Sequence, residues 1–280
     1  INQIRSDSGG TVTGRFSYNH PNLQQIPSRG QFAQDIRKIF IPEMGEYWLK
    51  ADYSQQEPRL LTHFARLVDQ PGSGEVQKAY LEKDLDFHQQ TADMAGVKRS
   101  LAKTIGLGVM YGMGYHKLAR ELDMEPQEAK TMLQDFHAKV PFMKGMLEAV
   151  MNRANSKGVI RTLLGRKCRF DLWEPTQWGV HKALPLNQAQ TEYGMAIKRA
   201  YTYKALNRLI QGSAADQTKK AMVDVYEEMG IVPLIQVHDE LDCSVKDEKQ
   251  VKQIKDIMEN CTKLEVPSKV DVEMNESWGG

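Results

Sequence analysis

The chain has 280 residues, 41% of them apolar and 26% charged, which is the make-up of an ordinary globular protein large enough to bury a sizeable core. Its 37 basic and 36 acidic residues leave a net charge of +1, so bulk charge does not mark a nucleic-acid binder and any phosphate-binding surface must come from local clustering. Three widely spaced cysteines, Cys168, Cys243 and Cys261, with no C-x-x-C, argue against a zinc site or a disulfide framework and for a reducing compartment. No run approaches the roughly 18 apolar residues of a membrane span. The chain opens at Ile1 without a Met or a signal-peptide pattern, as a fragment or a processed product would.

In chain order, residues 1–30 are rich in Gly, Ser, Asn, Gln and Pro and read as irregular. Ile36 to Ile41 and Tyr47 to Ala51 read as strands, followed by a helix over about 56–68 and a break at Gln70-Pro71-Gly72-Ser73-Gly74. Helical patterns follow at about 75–83, 87–94 and 98–111, before Gly112-Met113-Gly114. Pro126 and Pro141 each stand where a first helical turn would begin, and Gly158 closes the second of those helices. Val159 to Phe170 reads as a hairpin turning at Leu164-Gly165, and residues 187–229 as a helical stretch ending at Gly230. From Pro233 to Val245 the residues alternate, with Leu241, Cys243 and Val245 set against Asp242 and Ser244, which predicts a hairpin with His238-Asp239 at its tip. A helix over about 247–262 and an edge strand near Val270 to Met274 complete the chain. Strands flanking a central block of helices imply an α+β fold, a small antiparallel sheet with a helical insertion.

Asp52 and Asp239 each end a predicted strand. A lone Asp there is usually a turn former or a helix cap, but the pair is more specific than either member. Glu240 stands beside Asp239, and the Tyr53 carbonyl follows Asp52, where it could complete a metal shell. Between the two acids, Arg99, Lys103, Leu107 and Tyr111 fall on one helix face, because four residues are slightly more than one turn. The plainer reading of that face is a solvated amphipathic surface. Against it, Gly106 and Gly108 each cost about 1 kcal/mol in a helix interior and permit close approach of another surface. A fork and a point charge beside them suit a triphosphate. Two carboxylates and a cationic helix form a minimal kit for nucleotidyl transfer with Mg²⁺, which accepts carboxylate, water and phosphate oxygens.

Six stretches occur in order: Thr13-Gly14-Arg15-Phe16-Ser17; Pro21-Asn22-Leu23-Gln24-Gln25-Ile26-Pro27; Asp52 through Arg59; Arg99, Lys103 and Tyr111-Gly112; Gln211-Gly212-Ser213-Ala214-Ala215-Asp216; and Val237-His238-Asp239-Glu240-Leu241. Together they resemble the polymerase domain of family A DNA polymerases, the group of bacterial polymerase I and many phage replicases, over about residues 11–280. The resemblance implies a right-hand polymerase, with 1–60 the first part of the palm, 61–190 the mainly helical fingers and 191–280 the second part of the palm. The thumb would precede residue 1, and the exonuclease signature is not in this chain. It implies template-directed DNA synthesis by two-metal transfer of a nucleotide from a dNTP to a primer 3′-hydroxyl. Primer–template DNA is then the partner and two Mg²⁺ ions the cofactor, with Mn²⁺ a substitute. No membrane is involved, accessory proteins are unspecified, and the location is the cytoplasm of a bacterium or a phage-infected host. A single-subunit RNA polymerase and a non-catalytic DNA-binding fragment are the alternatives.

Residue by residue, the resemblance gives Asp52 and Asp239 as metal-binding aspartates, with Tyr53 contributing to the metal shell and Glu240 the adjacent acid. Glu57 resembles the acid that lies under the incoming sugar and excludes a 2′-hydroxyl. Its plainer reading is a helix-face carboxylate paired with Arg59. His88, Arg99 and Lys103 resemble triphosphate ligands, Lys103 also the general acid for pyrophosphate release. Tyr53, Gln55, Leu107 and Tyr111 complete the dNTP site, Tyr111 being the tyrosine that alternates with the template base. Arg15, Asn22, Gln24, Asn207, Gln211 and His238 resemble side chains that touch primer and template. For Asn22, Gln24 and Asn207 a turn or cap is the equal alternative, and for His88 a helix-capping role. Two departures stand out: Leu107 where the family usually has Phe or Tyr, and Pro58 after Glu57, which places the start of a helix at that point.

Overall fold

The computed structural model describes residues 1–3, 9–83, 85–177, 179 and 181–280. After a 3₁₀ turn at Leu23–Gln25 the elements are α1 (Ala33–Arg37), β1 (Tyr47–Tyr53), α2 (Gln56–Leu67), α3 (Ser73–Glu82), α4 (Phe87–Ala95), α5 (Arg99–Met110), α6 (Tyr115–Leu122), α7 (Pro126–Lys139), α8 (Pro141–Lys157), β2 (Val159–Arg161) and β3 (Lys167–Arg169). There follow β4 (Leu172–Pro175), β5 (Leu184–Pro185), α9 (Leu186–Tyr193), β6 (Ile197–Arg199), a 3₁₀ turn at Thr202–Lys204, α10 (Ala205–Met229), β7 (Ile235–Val237), β8 (Glu240–Val245), α11 (Glu248–Asn260) and β9 (Val270–Asn275). They form two compact units, one of residues 1–60 with 211–280 and one of residues 61–210.

The first unit is built on an antiparallel sheet in the order β7-β8-β1-β9. Side chains alternate between its faces. Leu49, Ala51 and Tyr53 of β1, with Leu241, Cys243 and Val245 of β8, turn to one face and pack on Ala221 and Val225 of α10 and Val251, Ile254 and Met258 of α11. Burial of each larger aliphatic contributes about 1.5–3 kcal/mol, so this face fixes the register. The Tyr53 hydroxyl, carried into that core, donates to the Met258 carbonyl at 2.7 Å. The alternation then sends Trp48, Lys50 and Asp52 to the opposite face, alongside Glu240 and Asp242 of β8 and Asp271 and Glu273 of β9. A smaller cluster of Trp48, Ile235 and Trp278 covers part of that face.

Ile36 to Ile41 does not form the expected strand. Its first residues close α1, Ile39 and Ile41 are 73% and 69% exposed, and among the described residues no strand pairs with them. Phe40 turns inward, its ring meeting Trp278 edge-on at 5.4 Å, and Arg37 lies over the same indole.

In the second unit, α5 buries Ala102, Ile105, Gly106, Val109 and Met110, while Arg99, Lys103 and Tyr111 remain exposed and Leu107 is half-buried. Phe87 of α4 meets Phe142 of α8 edge-on at 6.2 Å. Gly108 lies against the chain's own return: a Cβ there would run into the Met113 side chain. Gly112 has φ +71°, and a Cβ would lie 2.7 Å from the Tyr203 carbonyl oxygen. Pro126 and Pro141 open α7 and α8, Gly158 closes α8 in the left-handed conformation, and β2 and β3 form the predicted hairpin. The stretch 187–229 is not continuously helical. Gly194 (φ 72°, ψ −157°) ends α9 in a conformation open essentially only to glycine, and β6 then joins β4 and β5 in a small antiparallel sheet.

Candidate active-site residues

The register of β1 and β8 sets Asp52 opposite Glu240, and that of β1 and β9 sets it opposite Asp271. Asp239 precedes β8, and its carbonyl accepts from the Tyr53 N–H at 3.3 Å, tying the turn to the end of β1. Solvent reaches Asp52, yet the protein mass around it and the charges of Asp239, Glu240, Asp271 and Glu273 push its carboxyl up to about 7. Burial also raises Asp239, with Glu57 adding to the shift and Arg15 and His238 opposing it. Crowded carboxylates that hold their protons are relieved by a cation. The donors fit a hard ion such as Mg²⁺, which takes one or two carboxylates and completes its shell with water and substrate oxygens. Among the described residues no group of three His, Cys, Asp or Glu side chains gathers as a metal cage.

Around this pair, Glu57 stands in the first turn of α2, where a carboxylate suits the helix dipole. Its Oε1 accepts from Arg15 Nη2 at 2.6 Å. Arg59 donates to the carbonyls of Ser54 and Pro267. Gln55 links β1 to α2 with φ 54°. Asn22 caps the 3₁₀ turn by accepting from the Gln24 N–H at 3.2 Å, which is the turn role. Gln24 Nε2 lies 3.3 Å from Gln236 Oε1. His238 takes the left-handed conformation (φ 57°) at the hairpin tip, its carbonyl accepting from Gln236 Nε2 at 2.6 Å. Gln211 is half-buried on α10.

In the second unit Arg99, Lys103, Leu107 and Tyr111 share the face the spacing predicts, with Tyr111 capping the C-terminus of α5. Asp86, not singled out from sequence, organises this end: it caps α4 through the N–H groups of His88 and Gln89 and accepts from Arg99 Nε at 2.7 Å. His88 therefore does not supply the cap. Burial pushes Asp86 up, but the Arg99 and backbone hydrogen bonds outweigh it and leave the carboxyl below its ordinary value. Both partners of the Arg99–Asp86 pair are close to half exposed, so the pair contributes about 0–1 kcal/mol and yields readily to a stronger anion. Burial, then the charge of Lys103 and more weakly that of Arg99, lower His88 and keep its imidazole neutral; Asp86 opposes them. Its Nδ1 is buried without a hydrogen-bond partner among the described residues. Asn207 is half-buried on α10. Arg199 and Arg208, members of basic clusters in the sequence, are engaged structurally: Arg199 donates to the Phe170 carbonyl, and Arg208 lies over the Phe170 ring at 4.6 Å.

The sequence reading also passed over Asp242, treated there as an outward polar residue of β8. It is 0% exposed, and burial followed by the charge of Glu240 pushes its carboxyl up to about 8. The signal was the unbroken alternation Glu240, Asp242, Ser244, which shows that these share a face but not what covers it.

A mixed helix-and-sheet chain whose small antiparallel sheet carries paired acids at adjoining strand ends has the build of a polymerase region. The sequence profile of DNA polymerase family A matches residues 4–280, and the chain belongs to that family. It is 40% identical to a DNA-directed DNA polymerase of Pseudomonas phage M6 over 97% of this chain and 44% of that protein. It is 33% identical to the thermostable DNA polymerase I of Thermus aquaticus over 98% of this chain and 32% of that protein. The fold superposes on a solved structure of the POL domain of Pol1 from M. smegmatis in complex with DNA primer-template and dNTP, with a TM-score of 0.77 and 29% identity, covering 96% of this chain and 46% of that one. The chain thus spans less than half the length of these relatives. Among the described residues no helix is long and apolar enough to cross a membrane.

Proposed function

We propose that this chain is the palm and fingers of a template-directed DNA polymerase that extends a primer 3′-hydroxyl with dNTPs, acting in the cytoplasm of a bacterium or a phage-infected host. The observation that carries the reading is the juxtaposition of Asp52, Asp239 and Glu240 at adjoining strand ends, at the positions of the family's metal-binding motifs. Residues 1–60 with 191–280 serve as palm and residues 61–190 as fingers, a division supported by the two compact units of 1–60 with 211–280 and of 61–210.

Asp52 and Asp239, with the Tyr53 carbonyl, would hold two Mg²⁺ ions, or Mn²⁺ in their place. When bound, such ions acidify the attacking hydroxyl and neutralise charge on the leaving pyrophosphate. The protein's own groups position and stabilise, as phosphoryl transfer generally requires. Arg99 exchanges Asp86 for triphosphate oxygens, Lys103 adds a point charge and gives an Nζ proton to the leaving pyrophosphate, and neutral His88 donates a hydrogen bond. Tyr111 and Leu107 form the base and sugar side of the dNTP site, to which Gln55 also contributes. Glu57, anchored by Arg15, fills the space a 2′-hydroxyl would need, which separates this reading from RNA synthesis. Asn22, Gln24, Asn207, Gln211 and His238 meet primer and template, where donors to minor-groove acceptors check pair geometry without reading sequence.

The test is Mg²⁺-dependent primer extension by the full-length protein, with dNTPs and rNTPs in parallel. Template-directed dNTP incorporation is expected. Efficient rNTP incorporation would assign RNA synthesis instead, and primer–template binding without extension would leave only a DNA-binding role.

A further inference from the structure

One acid on the charged face of the sheet has no part in the proposed reaction. Asp242 follows Glu240 by two residues on β8, so the two side chains leave the same face of the strand. Asp242 is completely buried, with Oδ1 accepting from Trp48 Nε1 at 2.8 Å. Its Oδ2 has no donor among the described residues. Its neighbour is Glu240, two residues back on the same face of β8, and the two carboxyls act on each other. Glu240 Oε1 is reached separately by Trp278 Nε1 at 3.4 Å. The two indoles stack with centroids 6.2 Å apart and planes at 26°. Trp278 is itself 0% exposed, held by Phe40 edge-on and by the Arg37 guanidinium 4.1 Å from its ring centroid.

This arrangement is expensive as mere filling. An isolated buried carboxylate is strongly unfavourable, and an apolar residue of similar size is often neutral or stabilising in such a place. Lys50, opposite Asp242 in the register, does not neutralise it by contact: its Nζ bonds Glu273 at 3.2 Å. What the buried acid does gain is a link between two indoles and Glu240, the residue facing Asp52 across the ladder.

We infer that Asp242 is a positioning residue: with the indoles of Trp48 and Trp278 it fixes the carboxylate of Glu240 beside Asp239 and opposite Asp52. The inference rests on the reading of those acids as a polymerase site. The Trp48–Asp242–Glu240–Trp278 frame acts through Glu240 and touches no reacting atom.

The test uses Asp242→Val, Asp242→Asn and Trp278→Phe in the full-length protein, each also combined with Glu240→Ala. Asp242→Val, which strips the Trp48 indole N–H of its acceptor, should lower the melting temperature modestly and lose about tenfold in kcat, at the lower end of what orienting partners cost, with dNTP KM within about twofold. Asp242→Asn, whose amide can accept from Trp48 and donate to Glu240, should recover most of that loss. In the Glu240→Ala background neither Asp242→Val nor Trp278→Phe should cost anything further. Unchanged turnover in Asp242→Val, or a full additional loss in the Glu240→Ala background, would overturn the inference. Should Asp242→Val fail to fold, Trp278→Phe keeps a ring and removes only the N–H, and the same cycle decides. If the parent protein does not extend a primer, the polymerase reading fails on its own. The frame is then judged by indole ¹⁵N–¹H resonances. Glu240→Gln should shift the Trp278 signal and Asp242→Asn the signals of both Trp48 and Trp278, and an unmoved Trp278 signal in both variants overturns it.

Discussion

Arg15→Ala separates a structural ion pair from a sugar gate. Arg15 Nη2 and Glu57 Oε1 stand 2.6 Å apart, with side chains 24% and 13% exposed. A charge-assisted hydrogen bond this short and this sheltered is worth about 1.5–3 kcal/mol, more than the roughly 0–1 kcal/mol of a surface pair. Glu57 keeps the support of the α2 N-terminus, about 0.3–1 kcal/mol, when Arg15 is removed. Arg15→Ala should therefore lower stability by about 1–2 kcal/mol, and a double-mutant cycle with Glu57→Ala should return a coupling of similar size. On the proposed reading Glu57 lies beneath the sugar, and without Arg15 it loses one of the groups that hold it there. The dNTP-over-rNTP ratio of kcat/KM should then fall about tenfold, the equivalent of about 1.4 kcal/mol. Glu57→Ala should lower the ratio further, and Arg15→Ala should add nothing in that background. Urea unfolding gives the first quantity and single-nucleotide incorporation the second, and any loss of primer–template affinity cancels in the ratio. A destabilised Arg15→Ala protein with the parental ratio would show that the pair only holds the fold together. A coupling under about 0.5 kcal/mol would show that it does not do even that.

Asp52→Ala and Asp239→Ala should each abolish extension while primer–template affinity, measured by fluorescence anisotropy, stays within a few-fold; near-normal turnover in either would remove the two-metal assignment. Because burial and the Glu240 charge hold Asp242 at about 8 against an ordinary 3.8, the native state keeps a proton that the unfolded chain has already shed between those values. Its stabilising contribution is complete below pH 3.8 and fades as pH rises to about 8, so Asp242→Asn should flatten the stability–pH curve across that window in metal-free denaturation, and a parallel curve would refute the shift. Leu107, half-buried on the cationic face of α5, lacks the hydroxyl that could stand in for a missing 3′-hydroxyl; Leu107→Tyr should raise dideoxynucleotide acceptance several-fold, as one hydrogen bond of about 0.5–1.5 kcal/mol allows, and a lower melting temperature with unchanged selectivity would place this side chain outside the sugar pocket.

The features legible in the sequence are those governed by neighbours in the chain. Pro126, Pro141 and Gly158 set helix ends through their own backbone preferences, and the alternation from Leu234 to Val245 set the hairpin and its faces. The family motifs named the acids, and the spacing of Arg99, Lys103 and Tyr111 put them on one face of α5. The misreadings arise where a local pattern needs a distant partner. Ile36 to Ile41 has strand-like composition, but a strand without a neighbour leaves its backbone unpaired, and the chain closes a short helix there instead. The helical pattern across 187–229 gave no warning of β6, because that strand exists through β4.

Asp242 marks the same boundary at the candidate site. The period of two placed it with Glu240 and Asp52 on the charged face, and a charged face is ordinarily the wet one. Against it lies the Trp48 indole, which donates to it from β1 and is itself stacked on Trp278 from the far end of the chain. Periodicity fixes the direction of a side chain but carries no information about which tertiary element lies there. Asp242 is buried because tertiary neighbours such as the Trp48 indole lie against it. The chemistry of the site therefore depends on residues that bear no catalytic signature. An indole or a buried Asp next to a motif acid is then as strong a reason for mutagenesis as the motif itself.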